Sequence, residues 1–321
     1  LALHRIDPAS EKPFANDGWS GATLTRLRDD DGRPYVLKRD SLERDWIARA
    51  TKDRPLLREA WFAIDGPPLP WPVRNPALGA ARTAVDGQVA ILMPDLSDVL
   101  FDWNAPLTRL QLDAVLAALV ALHGVVAADV SAWTGWKDRV TLICRPSLER
   151  RGPAHDAVAD RLLPGWDAWD RVATPAARRI IADLAADVEP LLDAMAAGPS
   201  SLIHGDLKLA NAGIARDGAV EMVDWQMVAV APVGVELGWF LVANVNALPL
   251  PPQTVLDRYW TLRGQQPGTQ NDIAILVGLL LRGWRKGLDA EAGLVLASGA
   301  SAVDDLAWWC ERAVEAADRI L

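Results

Sequence analysis

The sequence reads HGDLKLAN from His204 to Asn211, and a further aspartate, Asp224, stands thirteen residues beyond that asparagine. Short apolar runs flank the polar segment, at residues 202–203 before it and at residues 213–215 and 220–223 after it. Short strands around a charged loop fix the positions of its side chains. We therefore expect the chemistry of this protein to lie here.

The spacing of Asp206, Asn211 and Asp224 matches the protein-kinase pattern H-R-D-L-x-x-x-N followed by D-F-G. Phosphoryl transfer from a nucleotide needs Mg²⁺, which one or two oxygen side chains hold, and Asn211 and Asp224 are the predicted ligands. Asp206 is the predicted catalytic residue, which orients the acceptor hydroxyl and takes its proton. The alternative is that all three are ordinary turn formers at strand ends.

The first hundred residues have the pattern of a β-rich half. Residues 23–27 and 35–39 alternate like strands, and the turn chemistry of residues 29–32 between them predicts a hairpin. A helix is predicted through residues 56–62. The apolar run at residues 89–93 predicts a strand that Pro94 stops.

Helical patterns dominate after residue 100. Thr108 and Gln111 form a predicted capping box for a helix whose apolar face continues to residue 123. A second long helix is predicted from Thr174 towards residue 198, with a kink at Pro190. An apolar stripe from Val303 to residue 317 predicts a C-terminal helix.

Composition limits the class of protein. The 321 residues are 50% apolar and 23% charged, which fits a globular protein of two domains or lobes. A net charge of −9 disfavours nucleic acid as a partner. No apolar run is long enough to span a membrane, no secretion signal is visible, and Cys144 and Cys310 form neither a zinc site nor a disulfide framework. We expect a cytoplasmic protein.

These motifs resemble those of the aminoglycoside phosphotransferase and choline kinase family, which are small-molecule kinases with a protein-kinase-like fold. The residues that carry the resemblance are those of the 204–211 loop, Val223-Asp224-Trp225, Pro232 and Glu236-Leu237-Gly238. The resemblance implies an α+β, protein-kinase-like two-lobed fold. Its β-rich N-terminal nucleotide-binding lobe would span residues 1–96, and its mainly helical C-terminal lobe, with the catalytic loop and acceptor site, residues 97–321.

The resemblance also implies roles for residues of the first half. The phosphate-covering loop would contain Gly18, Ser20 and Gly21, the strand lysine would be Lys38 with Glu59 as its helix carboxylate, and the adenine hinge would contain Met93, Asp95 and Leu96. Glu43 is the alternative partner of Lys38. Lys208 is a second catalytic candidate that would contact the transferred phosphate, and a solvated loop lysine is its alternative reading.

Two departures from the family pattern bear on the site. Glu236 stands where the family usually has aspartate, so we expect either an adjusted loop or a different buttress beneath it. Trp225-Gln226 lacks the glycine that lets protein kinases flip their metal-binding segment, which argues against such a switch. His204 would have a structural role beneath the loop, as in the family.

The acceptor is predicted to be a small molecule with a hydroxyl group. Only eleven residues separate Asp224 from Glu236, too few for the peptide platform of a protein kinase. Residues 101–321 carry 19 Lys and Arg against 27 Asp and Glu, and acidic walls concentrate cations. We therefore expect a cationic or polyhydroxylated acceptor such as an aminoglycoside, an amino alcohol or an amino sugar. Four tryptophans are candidates for its walls or for core packing: Trp239, Trp284, Trp308 and Trp309.

The predicted function is transfer of the γ-phosphate of ATP, or GTP, to a small-molecule hydroxyl with Mg²⁺ as cofactor. One alternative is a pseudokinase that binds nucleotide or ligand without turnover, and a weaker one is a protein kinase. The intact set of Lys38, Asp206, Asn211 and Asp224 speaks against the pseudokinase. The pattern predicts neither the acceptor's identity nor the oligomeric state.

Overall fold

The computed structural model describes residues 6–14, 20–83, 88–103, 105–126, 133–151 and 157–321. Its strands are, in chain order, β1 (Ile6–Phe14), β2 (Thr23–Asp29), β3 (Pro34–Asp40), β4 (Val73–Arg74), β5 (Gly79–Arg82), β6 (Val89–Pro94), β7 (Ser201–Ile203), β8 (Ala212–Ile214), β9 (Val220–Met222) and β10 (Ala229–Ala231). Its helices are α1 (Trp46–Ala50), α2 (Arg58–Asp65), α3 (Arg109–Leu122), α4 (Trp136–Val140), α5 (Arg145–Arg151), α6 (Ala157–Val172), α7 (Pro175–Ala186), α8 (Glu189–Ala196), α9 (Val233–Ala243), α10 (Pro252–Arg263), α11 (Gln270–Glu291) and α12 (Ala302–Ile320).

The first half of the chain forms a five-stranded antiparallel sheet with the strand order β1-β2-β3-β6-β5. The predicted hairpin is confirmed, since β2 and β3 pair in antiparallel register with Leu24 opposite Lys38. Asp29 closes its turn by accepting the backbone N–H groups of Asp31 and Arg33 at 3.0 and 2.8 Å. Local turn chemistry therefore sets the register of the strand that carries Lys38.

Two helix starts were correctly predicted, but the predicted length of one helix was wrong. The capping box of Thr108 and Gln111 is present at α3, and the Thr174 side chain caps α7. The single kinked helix expected across Pro190 is instead two helices, α7 and α8, separated at Asp187 and Val188. Pro190 lies in the first turn of α8, where a missing N–H breaks no helical hydrogen bond.

The core of the helical half is centred on α9 and α11, which pack directly together. Gly238 on α9 allows this close approach, because a Cβ there would lie 2.3 Å from the carbonyl oxygen of Ala274 on α11. The apolar run at residues 273–281 is thus a buried core helix, and the ranges described contain no helix long and apolar enough to cross a membrane.

The C-terminal helix α12 was expected, but its buried face is rotated from the predicted stripe. Val303 is 55% exposed, whereas Trp309 is fully buried against the core. Trp309 therefore packs in the interior and does not form a wall of an open site.

Together these elements form a mixed α+β, protein-kinase-like fold in which a curled antiparallel sheet precedes a helical region, as predicted. The short strands β7 to β10 lie between helices and hold the loop of residues 204–211 and the segment after Asp224. The division of the chain at residue 96 stays a prediction.

Candidate active site

A cleft of about 530 Å³ lies between the sheet and the helices. Ten of the predicted site residues line it: Ser20, Lys38, Glu59, Met93, Asp95, Leu96, Asp206, Lys208, Asn211 and Asp224. Gly21, with φ +98°, is next to Ser20 but is not part of the cleft wall. Gly18 lies outside the described residues.

Lys38 on β3 is buried between two carboxylates. Its Nζ lies 2.6 Å from Oε2 of Glu59 on α2 and 2.7 Å from Oδ1 of Asp224. The helix carboxylate that pairs with Lys38 is therefore Glu59 and not Glu43. Burial alone would lower the pKa of Lys38, but Asp224 and Glu59 outweigh it and raise this pKa above its usual value. The lysine stays charged, as a phosphate contact requires.

The pKa values of the two carboxylates around Lys38 are shifted in opposite directions. Burial is the main cause that raises the pKa of Glu59, and the nearby charge of Asp224 adds to it. Burial also acts against ionisation of Asp224, but Lys38 and Lys208 overcome it and lower the pKa of Asp224. Asp224 is therefore the carboxylate that keeps its negative charge at neutral pH.

The backbone at Asp224, two residues after the end of β9, is left-handed, with φ 66° and ψ 55°. This conformation is uncommon outside glycine and costs on the order of 1 kcal/mol, although aspartate tolerates it better than most residues. The next residue, Trp225, is buried, and its Nε1 donates to the carbonyl oxygen of Met222 at 2.7 Å. Arg58 on α2 donates to the carbonyl oxygen of Gln226 at 2.8 Å. Hydrogen bonds to the main chain thus fix the segment that carries Asp224.

A small second cavity, of about 10 Å³, lies behind Glu59 and Asp224. Ala63 on α2, Ile91 on β6 and Trp225 contribute to its wall. A volume of this size holds about one water molecule. The space behind the Lys38 cluster is therefore essentially filled by side chains.

Glycine at position 205 is dictated by close packing. Gly205 has φ +82°, and a Cβ on it would lie 2.0 Å from the carbonyl oxygen of Met227. The arginine that protein kinases carry at this position would not fit here. On the opposite side, Arg139 on α4 donates to the Gly205 carbonyl oxygen.

Glu236 on α9 buttresses the loop of residues 204–211, despite its extra methylene group. It is fully buried, and its Oε2 accepts the backbone N–H groups of His204 at 2.5 Å and Gly205 at 3.0 Å. No other carboxylate is needed to satisfy these two donors. The departure from aspartate therefore leaves the buttress in place.

His204 supports the loop from below. Its Nε2 lies 2.9 Å from the carbonyl oxygen of Val223, and its Nδ1 accepts the backbone N–H of Asp206 at 3.3 Å. These partners place the ring proton on Nε2. Burial is the main cause that lowers the pKa of His204, so the ring is neutral. This arrangement agrees with the structural role expected for His204.

Asp206 lines the cleft and keeps one carboxylate oxygen without a hydrogen-bond partner among the described residues. Its Oδ2 lies 3.0 Å from Nζ of Lys208, while its Oδ1 is buried and has no hydrogen-bond partner among the residues described. Burial raises the pKa of Asp206, and Lys208 and Arg139 oppose that effect. A buried carboxylate with a raised pKa and an unused acceptor is suited to take a proton from a hydroxyl group.

The donor set of a metal ion would be Asn211 and Asp224. Nδ2 of Asn211 donates to the carbonyl oxygen of Asp206 at 3.0 Å, which leaves its Oδ1 available as a ligand. In the ranges with assigned structure, no cluster of three or more His, Cys, Asp and Glu side chains could enclose an ion. One amide and one carboxylate fit Mg²⁺, which keeps several waters and binds phosphates, better than an ion that needs a full protein cage.

Three arginines of the cleft wall were missed by the sequence analysis: Arg139, Arg282 and Arg285. They come from α4 and α11, about 140 residues apart, and no motif connects them. Trp239 and Trp284 also line the cleft, as considered from the sequence. Trp308 and Trp309 do not, since Trp309 is fully buried and Trp308 packs edge to face against it at 5.3 Å.

The family model described as "Phosphotransferase enzyme family" matches residues 10–269. No curated protein matches the chain in sequence.

Several solved structures have a similar backbone. An aminoglycoside phosphotransferase from Alicyclobacillus acidocaldarius subsp. acidocaldarius DSM 446 is 14% identical with a TM-score of 0.50, over 98% of this chain and 93% of that one. An amicoumacin kinase in complex with AMP-PNP, Ca²⁺ and Ami is 13% identical with a TM-score of 0.52, over 99% and 90%. A choline/ethanolamine kinase family protein from Mesorhizobium loti is 15% identical with a TM-score of 0.49, over 96% and 87%. At these identities the first two likenesses show a shared fold.

Proposed function

Because the chain belongs to the phosphotransferase enzyme family, we propose that it transfers the γ-phosphate of ATP, or GTP, to a hydroxyl group of a small molecule with Mg²⁺ as cofactor. The observation that carries this proposal is the free Oδ1 of Asp206, which is buried in the same cleft as the charged Lys38 cluster. A proton acceptor and a phosphate-binding cation in one cavity are the two groups that phosphoryl transfer needs from the protein.

The nucleotide would lie between the sheet and the helices. Met93, Asp95 and Leu96 line the cleft at the end of β6, where an adenine can meet the backbone, and Ser20 lines it near the predicted phosphate-covering loop. Lys38 would contact the α- and β-phosphates. Arg26 holds the side chain of Asp95 at 2.8 Å, which fixes the hinge.

The metal would be held by Asn211 and Asp224 together with the phosphate oxygens. When bound, Mg²⁺ neutralises charge on the phosphates. Asp224 is prepared for this role, because its pKa is lowered and its carboxylate stays ionised.

In the proposed reaction one proton is transferred, one bond forms and one bond breaks. Asp206 accepts the proton of the acceptor hydroxyl at Oδ1, and the hydroxyl oxygen forms a bond to the γ-phosphorus. The bond from that phosphorus to the bridging oxygen breaks, and the nucleoside diphosphate leaves with the bond electrons. Lys208, 3.0 Å from Asp206, would neutralise charge on the transferred group.

A compact acceptor suits the cleft better than a peptide. The eleven residues between Asp224 and Glu236 form a short 3₁₀ turn, β10 and the start of α9, and leave no extended platform. Trp239 and Trp284 close the helical side of the cleft.

The experiment that tests the proposal is an ADP-release screen of the wild type across a panel of hydroxylated acceptors, with Asp206→Asn as the control. We expect Mg²⁺-dependent ADP release with at least one acceptor, and a loss of at least about 100-fold in the variant with nucleotide binding retained. Mg²⁺-dependent nucleotide binding without phosphate transfer to any acceptor or to water would favour the pseudokinase instead.

A further inference from the structure

The helical side of the cleft is rich in arginine. Arg139, Arg282 and Arg285 line it together with Asp206. The other carboxylates of the lining are committed on the nucleotide side, since Glu59 and Asp224 contact Lys38 and Asp95 contacts Arg26. The wall that faces the acceptor therefore carries more positive than negative charge within the part of the chain that the structure describes.

Arg282 stands at an interruption in α11. Its φ of −135° and ψ of 22° are not helical, and a Cβ on the following residue, Gly283, would lie 3.1 Å from the ring of Trp166. Residues 273–281 before the interruption are buried core. The break separates the core half of α11 from the half that carries Arg285, and it places Arg282 on the cleft wall.

The carboxylates nearest to the guanidinium group of Arg282, Asp206 and Asp289, attract it from beyond salt-bridge distance. It makes no salt bridge with any residue of the described ranges, and its Nε is buried without a hydrogen-bond partner there. It lies 5.4 Å from the ring centroid of Trp239 and 5.1 Å from that of Trp284. Burial is the main cause that lowers the pKa of Arg282, to about 10, so the group is still charged at neutral pH.

The neighbouring arginines do not neutralise this charge; they add to it. Arg139 packs over the same Trp239 ring at 4.7 Å and spends one donor on the Gly205 carbonyl oxygen. Arg285 contacts Asp289 through Nε at 2.8 Å. Asp289 lies outside the cleft lining, so among the carboxylates that line the cleft Asp206 is the one whose charge acts on Arg282.

Arg282 is half-buried and makes no salt bridge among the described residues, so an anionic ligand can supply the hydrogen-bonded partner that its guanidinium group does not have there. Guanidinium groups bind carboxylates and phosphates through paired, charge-assisted hydrogen bonds. The rings of Trp239 and Trp284 lie within cation–π distance of Arg282 and restrict its side chain, which lowers the entropy lost when an anion binds.

We propose that the acceptor carries an anionic group, a carboxylate or a phosphate monoester, which Arg282 binds while the acceptor hydroxyl faces Asp206. This inference rests on the proposed function and names the substrate class of the same site. It replaces the cationic acceptor expected from net charge. The excess acid of residues 101–321 does not line the cavity, and a cationic group would lie beside three arginines.

The first test is equilibrium binding, which needs no turnover. The protein is saturated with Mg·ADP and titrated calorimetrically with acceptor pairs that differ in charge: glycerate, glycerol 3-phosphate and glycerol, then gluconate and sorbitol. We expect an anionic compound of either set to bind at least about tenfold more tightly than its neutral counterpart. Comparison of glycerate with glycerol 3-phosphate distinguishes a carboxylate from a phosphate monoester.

The variants assign that preference to one side chain. Arg282→Gln should reduce anion affinity to the level of the neutral compound, and Arg282→Lys should keep part of it. Arg171→Gln is the matched control, because Arg171 is an exposed arginine paired with Glu291 away from the cleft and should leave binding unchanged. Thermal unfolding of each variant confirms that it is folded.

The outcomes separate this inference from the proposed function. Tighter anion binding that depends on Arg282 supports the inference even when no compound is phosphorylated, in which case only the proposed function fails. Equal binding of charged and neutral partners, a preference for cationic amino alcohols, or an anion preference unchanged in Arg282→Gln would each overturn it, whether or not ADP release is observed.

Discussion

The ring of Phe62 on α2 stacks on the ring of Trp225, with 4.6 Å between the centroids and 28° between the planes. Phe62 lies one helical turn after Glu59, and Trp225 directly follows Asp224. The contact therefore joins the helix that holds one carboxylate of the Lys38 cluster to the segment that holds the other. Packing of α2 against this segment thus helps to position all three side chains of the Lys38 cluster.

Removal of this stack should damage both stability and the site. Phe62 is 4% exposed, so Phe62→Ala should lower the free energy of unfolding by about 3–5 kcal/mol. It should also weaken Mg·ATP binding, because α2 loses one of its contacts with the segment that carries Asp224 and, of those described above, keeps the hydrogen bond from Arg58 to Gln226. Urea unfolding and calorimetric titration measure the two effects, and Phe62→Leu, which restores most of the volume, should recover most of the stability. Unchanged nucleotide affinity in a folded Phe62→Ala protein would show that the stack does not position Glu59.

Asp224→Asn tests the metal site without disturbing the backbone, because asparagine tolerates the left-handed conformation at this position. We expect nucleotide affinity to become largely independent of Mg²⁺, since a ligand carboxylate is lost. Isothermal titration of wild type and variant with ATP, with and without Mg²⁺, measures the change. A variant that binds Mg·ATP like the wild type would remove Asp224 from the metal site.

Because one carboxylate oxygen of Glu236 accepts two backbone N–H groups, we expect the chemically milder of two substitutions at this position to lower activity more. Glu236→Asp is chemically the milder change, yet its carboxylate is one methylene too short to reach both backbone N–H groups. Glu236→Gln keeps an oxygen at the same reach. We expect Glu236→Asp to lower kcat by about tenfold or more and Glu236→Gln to lower it less. Steady-state kinetics with ADP release provide the comparison, and the reverse order would mean that charge matters more than reach.

The pH dependence of stability should contain a contribution from Asp45, which caps α1 and is 2% exposed. Burial is the main cause that raises the pKa of Asp45 from 3.8 to about 6. Well below pH 3.8 its carboxyl is neutral in both states. Between about pH 4 and pH 6 the unfolded chain binds fewer protons than the folded one, so the folded state loses stability as the pH rises through this range.

Asp45→Asn removes this ionisation and retains a capping oxygen. The variant should match the wild type near pH 4 and exceed it above pH 6, by up to about 3 kcal/mol. Urea unfolding at pH 4.5 and pH 8 measures the difference. A variant that is less stable than the wild type at pH 8 would show that the charged cap is favourable.

The features that the sequence predicted correctly depend on nearby residues. The hairpin follows from its own turn, the α3 start from Thr108 and Gln111, and the strand-loop-strand pattern around Asp206 from short apolar runs. Such signals act over a few residues and need no tertiary information. The succession of a β-rich part and a helical part could therefore be predicted before any packing was known, whereas the kinase-like fold was implied by the family resemblance.

The features that the sequence could not predict depend on distant contacts. Glu43 lies before α1 and Glu59 lies within α2, and the sequence offers both as partners of Lys38. Only the packing of α2 on the sheet selects Glu59. Arg282 reaches the cleft because α11 is interrupted at that residue, within a pattern that otherwise indicates continuous helix. Net charge over two hundred residues could not reveal the charge of one cavity wall.

The filled space behind Glu59 and Asp224 has a consequence for inhibitor design. Compounds that extend past the lysine into a back pocket, or that need the aspartate turned outward, would find room for about one water molecule. To make more, they would have to displace Trp225 from between Phe62 and His204, whose ring lies 4.4 Å away on the other side. Selective inhibitors of this protein should therefore gain affinity from acidic substituents that contact the arginine-lined helical wall of the cleft, and not from groups that extend into the space behind Lys38.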